Sequence, residues 1–240
     1  MTTAGLAEPR RVAPPRRFYL VMALVLTAIV AFGFSHTIPG DLASPGFPPF
    51  LVVHGVVFAT WMLLFIAQPA LVSRGALGLH RRLGWFGAGL AVAMVALAAG
   101  AILAALFADH VPPFYPHGLF LARGFFGLLV FAGLVIAGIV QRRRAEWHKR
   151  LMLCASIVVI APGLERALPI PDMGPNWPYI ADGLILALAA AGPIVDLVTR
   201  RRIHPAYVWG VGAILSGQIA VDLIAASPLA PTLLHLIGAH

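Results

Sequence analysis

Charged residues are scarce in this chain. Asp, Glu, Lys and Arg together make up 11% of its 240 residues, whereas 60% are hydrophobic. Soluble domains average roughly 25% charged residues, so the surface of this protein cannot be covered by charge as theirs is. Several apolar runs approach or exceed the ~18 residues that cross a bilayer as a helix. The composition therefore excludes an ordinary soluble domain and predicts an all-α, polytopic membrane helical bundle.

Cysteine, lysine and the common catalytic motifs are also nearly or wholly missing. The single cysteine, Cys154, excludes an internal disulfide framework and a CxxC metal site. The only lysine, Lys149, stands at the edge of an apolar run, so no span holds a lysine for a retinal Schiff base. HExxH, GxSxG and the P-loop are absent, which argues against a zinc protease, an α/β-hydrolase and direct use of ATP.

The apolar runs that are present predict seven transmembrane helices. We place them at about 18–38, 48–72, 82–107, 118–140, 149–169, 178–198 and 206–226, separated by Pro- and Gly-rich segments such as "HVPPFYPHG". Residues 1–17 are expected to be a disordered basic tail, 18–226 the transmembrane domain, and 227–240 a short apolar tail. The first run is longer than a signal-peptide core, which favours a retained helix.

The basic residues predict the orientation of these helices. The N-terminus and the loop regions 2–3, 4–5 and 6–7 carry four, three, five and three basic residues, which is 15 of the 17. Cytoplasmic loops are enriched in Lys and Arg. We therefore expect a cytoplasmic N-terminus, an outer C-terminus and a bacterial inner-membrane location. The net charge of +8 then reflects topology and lipid contact, and nucleic acid is not expected as a partner.

One short phrase occurs twice. "LHRRLGW" at 79–85 and "WHKRLML" at 147–153 both read His, basic, Arg, Leu, and both open a long apolar run. The basic residues are explained by topology, but the histidines are not, because a neutral imidazole adds little to orientation. We predict that His80 and His148 lie at one depth, on helices that begin equivalent halves of two hairpins, so that they are able to pair.

Other polar residues fall on helix faces that we expect to point into the bundle. His54, Trp61 and Gln68 are spaced by seven, which keeps them on one helical face. Sorting by depth predicts an outer cluster of His54, His117, Arg123, Glu165, Arg166, Asp182 and Asp222, and an inner cluster of Gln68, His80, Arg81, Arg82, His148, Arg150, Asp196 and His204. Gln218 lies one turn before Asp222. Each of the two clusters is also compatible with structural hydrogen bonds and ion pairs between helices.

Heme is one ligand that fits histidines placed in this way. A bis-histidine heme in a bundle needs two imidazoles from different helices at the same depth. His80 with His148, and His54 with His117, are the candidate iron ligands. Candidate propionate partners are Arg81, Arg82, Arg150 and Arg123. Five glycines leave room for a flat cofactor or for close helix packing: Gly84, Gly87, Gly89, Gly124 and Gly127.

Two resemblances follow from these segments. "VHGVVFATWMLLFIAQPALV", "LHRRLG", "HKRLMLCA" and "HPAYVWG" resemble a bacterial family of multi-spanning membrane proteins with no settled function. The order His54, His80, His117, His148 is similar to that of cytochrome b561-type proteins, which bind two hemes through one histidine on each of four consecutive helices. This resemblance implies heme b and transmembrane electron transfer.

Three hypotheses about function remain open at this point. The first is electron transfer through heme b, with Trp61 and Phe65 between the two sites. The second is a proton-coupled carrier or channel for a small solute, lined by His54, Gln68, Asp182, Asp196 and Arg123. The third is an accessory subunit that assembles with a larger membrane complex or with copies of itself.

Overall fold

The computed structural model describes residues 17–43 and 48–238, and within these ranges the chain is helical without strands. The helices are α1 Arg17–Ser35, α2 Ile38–Ala43, α3 Pro49–Ser73, α4 Leu77–Phe107, α5 His117–Val140, α6 Ala145–Val159, α7 Ala161–Ala167, α8 Ile170–Met173, α9 Trp177–Arg200, α10 Pro205–Ala225 and α11 Leu229–Ile237. The expected basic tail, apart from Arg17, lies outside the described residues.

Six helical stretches in the described ranges are long and apolar enough to cross a bilayer. They are α1, α3, α4, α5, residues 170–200 ending with α9, and α10. Large apolar side chains are exposed along them, among them Leu63 (65%), Val92 (71%) and Trp209 (70%). Surfaces of this kind suit lipid rather than water. The helices therefore indicate an integral, multi-pass membrane protein.

The fifth apolar run differs from the single helix that we expected over 149–169. It consists of α6 and α7, which are interrupted at Ile160. Pro162 lies in the first turn of α7. Because proline has no backbone N–H and its ring clashes with the carbonyl four residues earlier, a helix does not continue undisturbed through it. Each of the two pieces is therefore shorter than the other candidate spans.

Close glycine contacts determine how α1 meets α7. A Cβ atom on Gly33 would overlap the carbonyl oxygen of Gly163, and one on Gly163 would lie 2.9 Å from Cα of Val30. These two backbones therefore touch, as small residues permit in membrane bundles. The contact holds the interrupted α6–α7 segment beside the first helix.

The core of the bundle surrounds α5 and α6. Phe131 on α5 is fully buried, and Trp61 of α3 packs edge-on against it with ring centres 5.2 Å apart. Helix α5 contacts α4, α6, α10 and α11. The predicted apolar tail 227–240 contains α11, whose Ala230 packs on Gly118 at the start of α5.

Candidate functional site

His80 and His148 lie side by side. Each is the fourth residue of its helix, α4 and α6 respectively. Their ring centres are 6.3 Å apart and the ring planes are inclined by 84°. Both side chains are half-buried. The structure thus brings together the two histidines of the repeated phrase, from helices that are not adjacent in sequence.

In each of the two histidines, a neighbouring polar group contacts the Nδ1 atom of the ring. Nδ1 of His148 lies 2.9 Å from the carbonyl oxygen of Gly138, so this nitrogen carries the proton and donates it. Nδ1 of His80 contacts the side-chain amide of Gln68. With its nitrogen toward that ring, the Gln68 amide accepts a hydrogen bond from the N–H of Gly84 at 3.1 Å. These contacts involve Nδ1 in both histidines and do not involve Nε2.

The arginines proposed to accompany this pair have separate environments. Arg81 and Arg82, which follow His80, are exposed. Arg142 lies over the ring of Trp85, 5.5 Å from its centre. Arg150, by contrast, is fully buried and bound to carboxylates. Arg81 and Arg82 therefore remain available at the histidine pair, and Arg150 does not.

A network of charges, here called the Arg150 network, joins α6 to the end of α9. Arg150 donates to Asp196 from Nη2 at 2.5 Å and from Nε at 2.9 Å, and to Glu146 from Nη1 at 2.7 Å. Glu146 also accepts from Lys149 and Arg200, both at 2.6 Å. Three cations therefore face two carboxylates.

Two groups at the edge of this network have altered pKa values. Partial burial alone would raise the pKa of Glu146, but hydrogen bonds from Lys149 and Arg150 lower it to about 2. Burial, together with the charge of Arg150, lowers the pKa of His204. Nδ1 of His204 accepts from the N–H of Ala206 at 3.1 Å and caps α10. The carboxylate is therefore charged and the imidazole neutral at pH 7.

A second network, the Arg123 network, lies at the opposite end of α9. Arg123 on α5 donates to both oxygens of Asp182, at 2.9 and 3.1 Å, and to Glu165 at 3.0 Å. The hydroxyl of Tyr115 donates to the other oxygen of Glu165 at 2.7 Å. Asp182 and Asp196 are fourteen residues apart on α9, which separates the networks by about 21 Å.

The remaining residues expected beside Arg123 have various contacts. Gln218 donates to the backbone carbonyl of Asp182 at 3.3 Å, and Asp222 lies one turn beyond it on α10. Arg166 is exposed, donates to the carbonyl of Pro162 and lies over Phe34. Arg123 therefore has two of the proposed carboxylate partners, whereas Arg166 binds backbone and an aromatic ring.

The expected outer histidines are not in ring contact with each other. His117 bonds to Asp109, with Nε2 and Oδ1 3.1 Å apart. His54 is half-buried on α3, and its Nδ1 is buried without a hydrogen-bond partner among the described residues. On the same helix, Gln68 faces His80, and Trp61 is buried. The structure thus joins one of the two histidine pairs.

Two of the five glycines considered as room for a cofactor are occupied by close helix packing. A Cβ on Gly87 would meet Leu64 at 2.7 Å, and one on Gly124 would meet Ile102 at 2.5 Å, so side chains already fill these positions. A Cβ on Gly84 would be in ordinary van der Waals contact with the side-chain amide of Gln68, at 3.9 Å. Gly89 and Gly127 have nothing within 4 Å. Open space is therefore found at Gly89 and Gly127.

The described residues contain no group of three or more His, Cys, Asp or Glu side chains that could hold a metal ion. A site made of protein ligands alone is therefore not present in residues 17–43 and 48–238. In the part of the chain that the structure describes, the histidine pair is therefore not part of a larger cluster of metal-ligating side chains.

Sequence reasoning missed four residues of the charged networks: Glu146, Lys149, Arg200 and Tyr115. Glu146 lies four residues before Arg150, the spacing at which side chains meet on one helical face, so the sequence did contain a signal. Tyr115 lies in the α4–α5 connection, 50 positions before Glu165. No periodic pattern relates those two positions.

No protein-family model matches this chain, and no curated protein or solved structure is similar to it.

Proposed function

We propose that this integral membrane protein binds one heme b through His80 and His148 and carries electrons in the membrane. The observation that supports the proposal is the juxtaposition of these two rings, 6.3 Å apart, on different helices at one end of the bundle. Two histidines from facing helices are the usual protein contribution to such a site.

The ligand geometry is compatible with one metal ion between the rings. His80 and His148 would hold the iron of a heme through one ring nitrogen each, and metal–imidazole bonds are about 2 Å long. With ring centres 6.3 Å apart, the two histidines are close enough for both to reach one metal ion. The bond from His148 Nδ1 to the Gly138 carbonyl leaves the lone pair on Nε2. Ligating histidines commonly use their second nitrogen in this way.

The surrounding residues have separate roles in this proposal. Gln68 orients the ring of His80, because its amide is able to donate to a bare Nδ1 or, after rotation, to accept from a protonated one. Arg81 and Arg82 supply exposed guanidinium groups for the carboxylates of the cofactor. When bound, heme supplies one-electron redox chemistry. Since His117 is engaged with Asp109, we propose one site rather than two.

We also propose that α6 and α7 together form a seventh span. They are separated by a single residue, and their residues 149–167, at about 1.5 Å per residue, are long enough to cross the apolar layer. With seven spans, the basic loops fall on one side, as cytoplasmic loops do. This topology places the histidine pair on the cytoplasmic side of a bacterial inner membrane.

Absorption spectra test the heme proposal. The protein is purified in detergent, supplemented with heme b, and its oxidised and dithionite-reduced spectra are recorded. We expect a reducible Soret band that is lost in both His80→Ala and His148→Ala. The matched control is His36→Ala, which removes a histidine near the end of α1, away from the pair. A heme-free spectrum of the folded protein, or unchanged bands in both variants, would refute the proposal.

A proton-coupled carrier is the second candidate, and the Arg123 network favours it. Ionisable groups inside a membrane are costly and commonly mark ion or proton pathways. Here one arginine faces two carboxylates, Glu165 and Asp182, on different helices. In liposomes loaded with a pH dye, a carrier would release a proton gradient, and Asp182→Asn would abolish the flux while Asp172→Asn, on α8, would not. Gradients equally stable with and without the protein would exclude this role.

A further inference from the structure

A cavity beside the Arg150 network has the lining of an anion site. It measures about 330 Å³ and is formed by the end of α9, the start of α10 and the short connection between them, with Arg200, Arg202 and His204 in its wall. All three side chains provide hydrogen-bond donors, and two are permanently charged. The chemistry of this wall is suited to phosphate.

The charges behind the cavity are not balanced. Lys149, Arg150 and Arg200 face only two carboxylates, so the network retains one positive charge. Arg202, which is exposed, adds a second at the cavity itself. Nε of Arg200 is buried without a hydrogen-bond partner among the described residues, and it lies 3.7 Å from Oδ1 of Asp196. The cavity and the network behind it therefore carry an excess of positive charge.

The orientation of His204 adds a donor. Because Nδ1 of this residue accepts the N–H of Ala206, the neutral ring carries its proton on Nε2. The ring is held edge-on by Trp147, with centres 5.4 Å apart. The cavity also lies at the N-terminus of α10, a helix of 21 residues, where the helix dipole favours an anion.

The two helices that form the cavity carry exposed apolar side chains within a few residues of its lining. Val198 on α9 is 69% exposed, and Val208 and Trp209 on α10 are 66% and 70% exposed. In a membrane protein these side chains contact acyl chains. A lipid bound here would have basic groups for its head and exposed apolar side chains of α9 and α10 for its tail. Basic pockets between helices are known to receive the headgroups of anionic lipids.

We propose that this cavity is a binding site for the phosphate-bearing headgroup of an anionic phospholipid. Arg200 is held in place by Glu146, so it presents a fixed guanidinium. Arg202, which also lines the cavity, adds a second charge, and His204 donates from Nε2. The exposed apolar side chains of α9 and α10 favour a lipid over free phosphate, which has no acyl chains to place on them. The proposal is independent of heme binding.

Native mass spectrometry of the detergent-purified protein tests the site with phosphatidylglycerol as the probe. Arg202→Gln and Arg201→Gln remove the same charge from neighbouring exposed positions, but only Arg202 lines the cavity. A basic residue near a headgroup contributes about 1 kcal/mol, so we expect Arg202→Gln to weaken the tightest bound lipid about fivefold. Arg201→Gln is expected to leave it unchanged.

Two further arms separate the sources of phosphate. Phosphatidylcholine with the same acyl chains should be retained more weakly than phosphatidylglycerol, and millimolar inorganic phosphate should not displace the bound lipid. Equal losses in the two arginine variants would mean a diffuse basic belt and would overturn the proposal. Equal retention of the two lipids, or displacement by inorganic phosphate, would also overturn it.

Discussion

Arg150 and Asp196 form a two-pronged ion pair inside the helical bundle. Both side-chain oxygens of the aspartate accept from the guanidinium, at 2.5 and 2.9 Å, and the exposed fractions of the two residues are 0% and 1%. Asp196 also accepts from the backbone N–H of His204 at 3.2 Å. Burial of two charges is tolerated here because their hydrogen-bonding groups are occupied. The pair fixes α6 against α9.

Removal of one partner of this pair should destabilise the protein. Asp196→Asn leaves the buried guanidinium of Arg150 with one carboxylate partner, Glu146, instead of two. We therefore expect a loss of about 3–5 kcal/mol in the free energy of unfolding. Reversible unfolding in mixed detergent–SDS micelles, followed by circular dichroism, measures it. Asp172→Asn, at an exposed position, is the control and should lie within about 0.5 kcal/mol of wild type. Similar stabilities for the two variants would contradict a structural role for the pair.

Replacement of both partners should cost less than replacement of one. The double variant Arg150→Met, Asp196→Leu removes both charges of the pair, so neither is left buried without the other, and exchanges of this kind are often neutral. We therefore expect its stability to exceed that of Asp196→Asn in the same unfolding assay. A double variant less stable than the single one would indicate that the ion pair contributes net stability.

Gly192 and Gly183 provide a matched pair of substitutions on α9. A Cβ on Gly192 would overlap the ring of Tyr207, whereas one on Gly183 would meet nothing within 4 Å. Gly192→Ala should therefore destabilise the bundle by about 1–3 kcal/mol through overpacking. Gly183→Ala should be neutral or stabilising by up to about 1 kcal/mol, since alanine favours helix. Both are measured by thermal unfolding in detergent, and equal effects would exclude the close packing.

The low pKa of Glu146 predicts how its contribution depends on pH. The folded-state pKa is about 2, below the ordinary value of 4.5. The carboxylate therefore stabilises the folded protein fully above pH 4.5, and the contribution disappears as the pH falls from 4.5 toward 2. In unfolding titrations, wild type should be more stable than Glu146→Gln at pH 7, and the difference should shrink toward pH 2. A difference that does not depend on pH would exclude the charge as its source.

The hydroxyl group of Tyr115 should stabilise the folded protein through its hydrogen bond to Glu165. It donates to Glu165 at 2.7 Å, and hydrogen bonds to charged groups contribute about 1.5–3 kcal/mol. Tyr115→Phe removes only this oxygen, so a destabilisation of that size is expected in the micelle unfolding assay. Tyr179→Phe, at a position 63% exposed, is the control and should change little. A neutral Tyr115→Phe would mean that Glu165 is satisfied by Arg123 alone.

Part of the candidate site could be predicted from the sequence. The spacing of residues along a helix and the basic residues in the loops indicate how deep each side chain lies in the membrane. The repeated phrase and the basic loops placed His80 and His148 at one level, and the structure brings them into contact. The same reasoning put Arg123 near Glu165 and Asp182, which it binds. It also paired His54 with His117, although two residues at the same depth need not lie on helices that contact each other, and the two rings are not in contact.

The sequence by itself determined that this protein is helical and apolar enough for a membrane. Those properties depend on composition and on the lengths of local runs, which need no knowledge of neighbours. Only the tertiary structure decided that Arg150 binds Asp196, that Arg166 lies over Phe34, and that Tyr115 reaches Glu165. The physical reason is that most faces of membrane helices carry similar apolar residues, so the sequence alone does not indicate which helices pack against each other. The order in which they pack, and hence which charges meet, depends on small contacts such as Gly33 against Gly163.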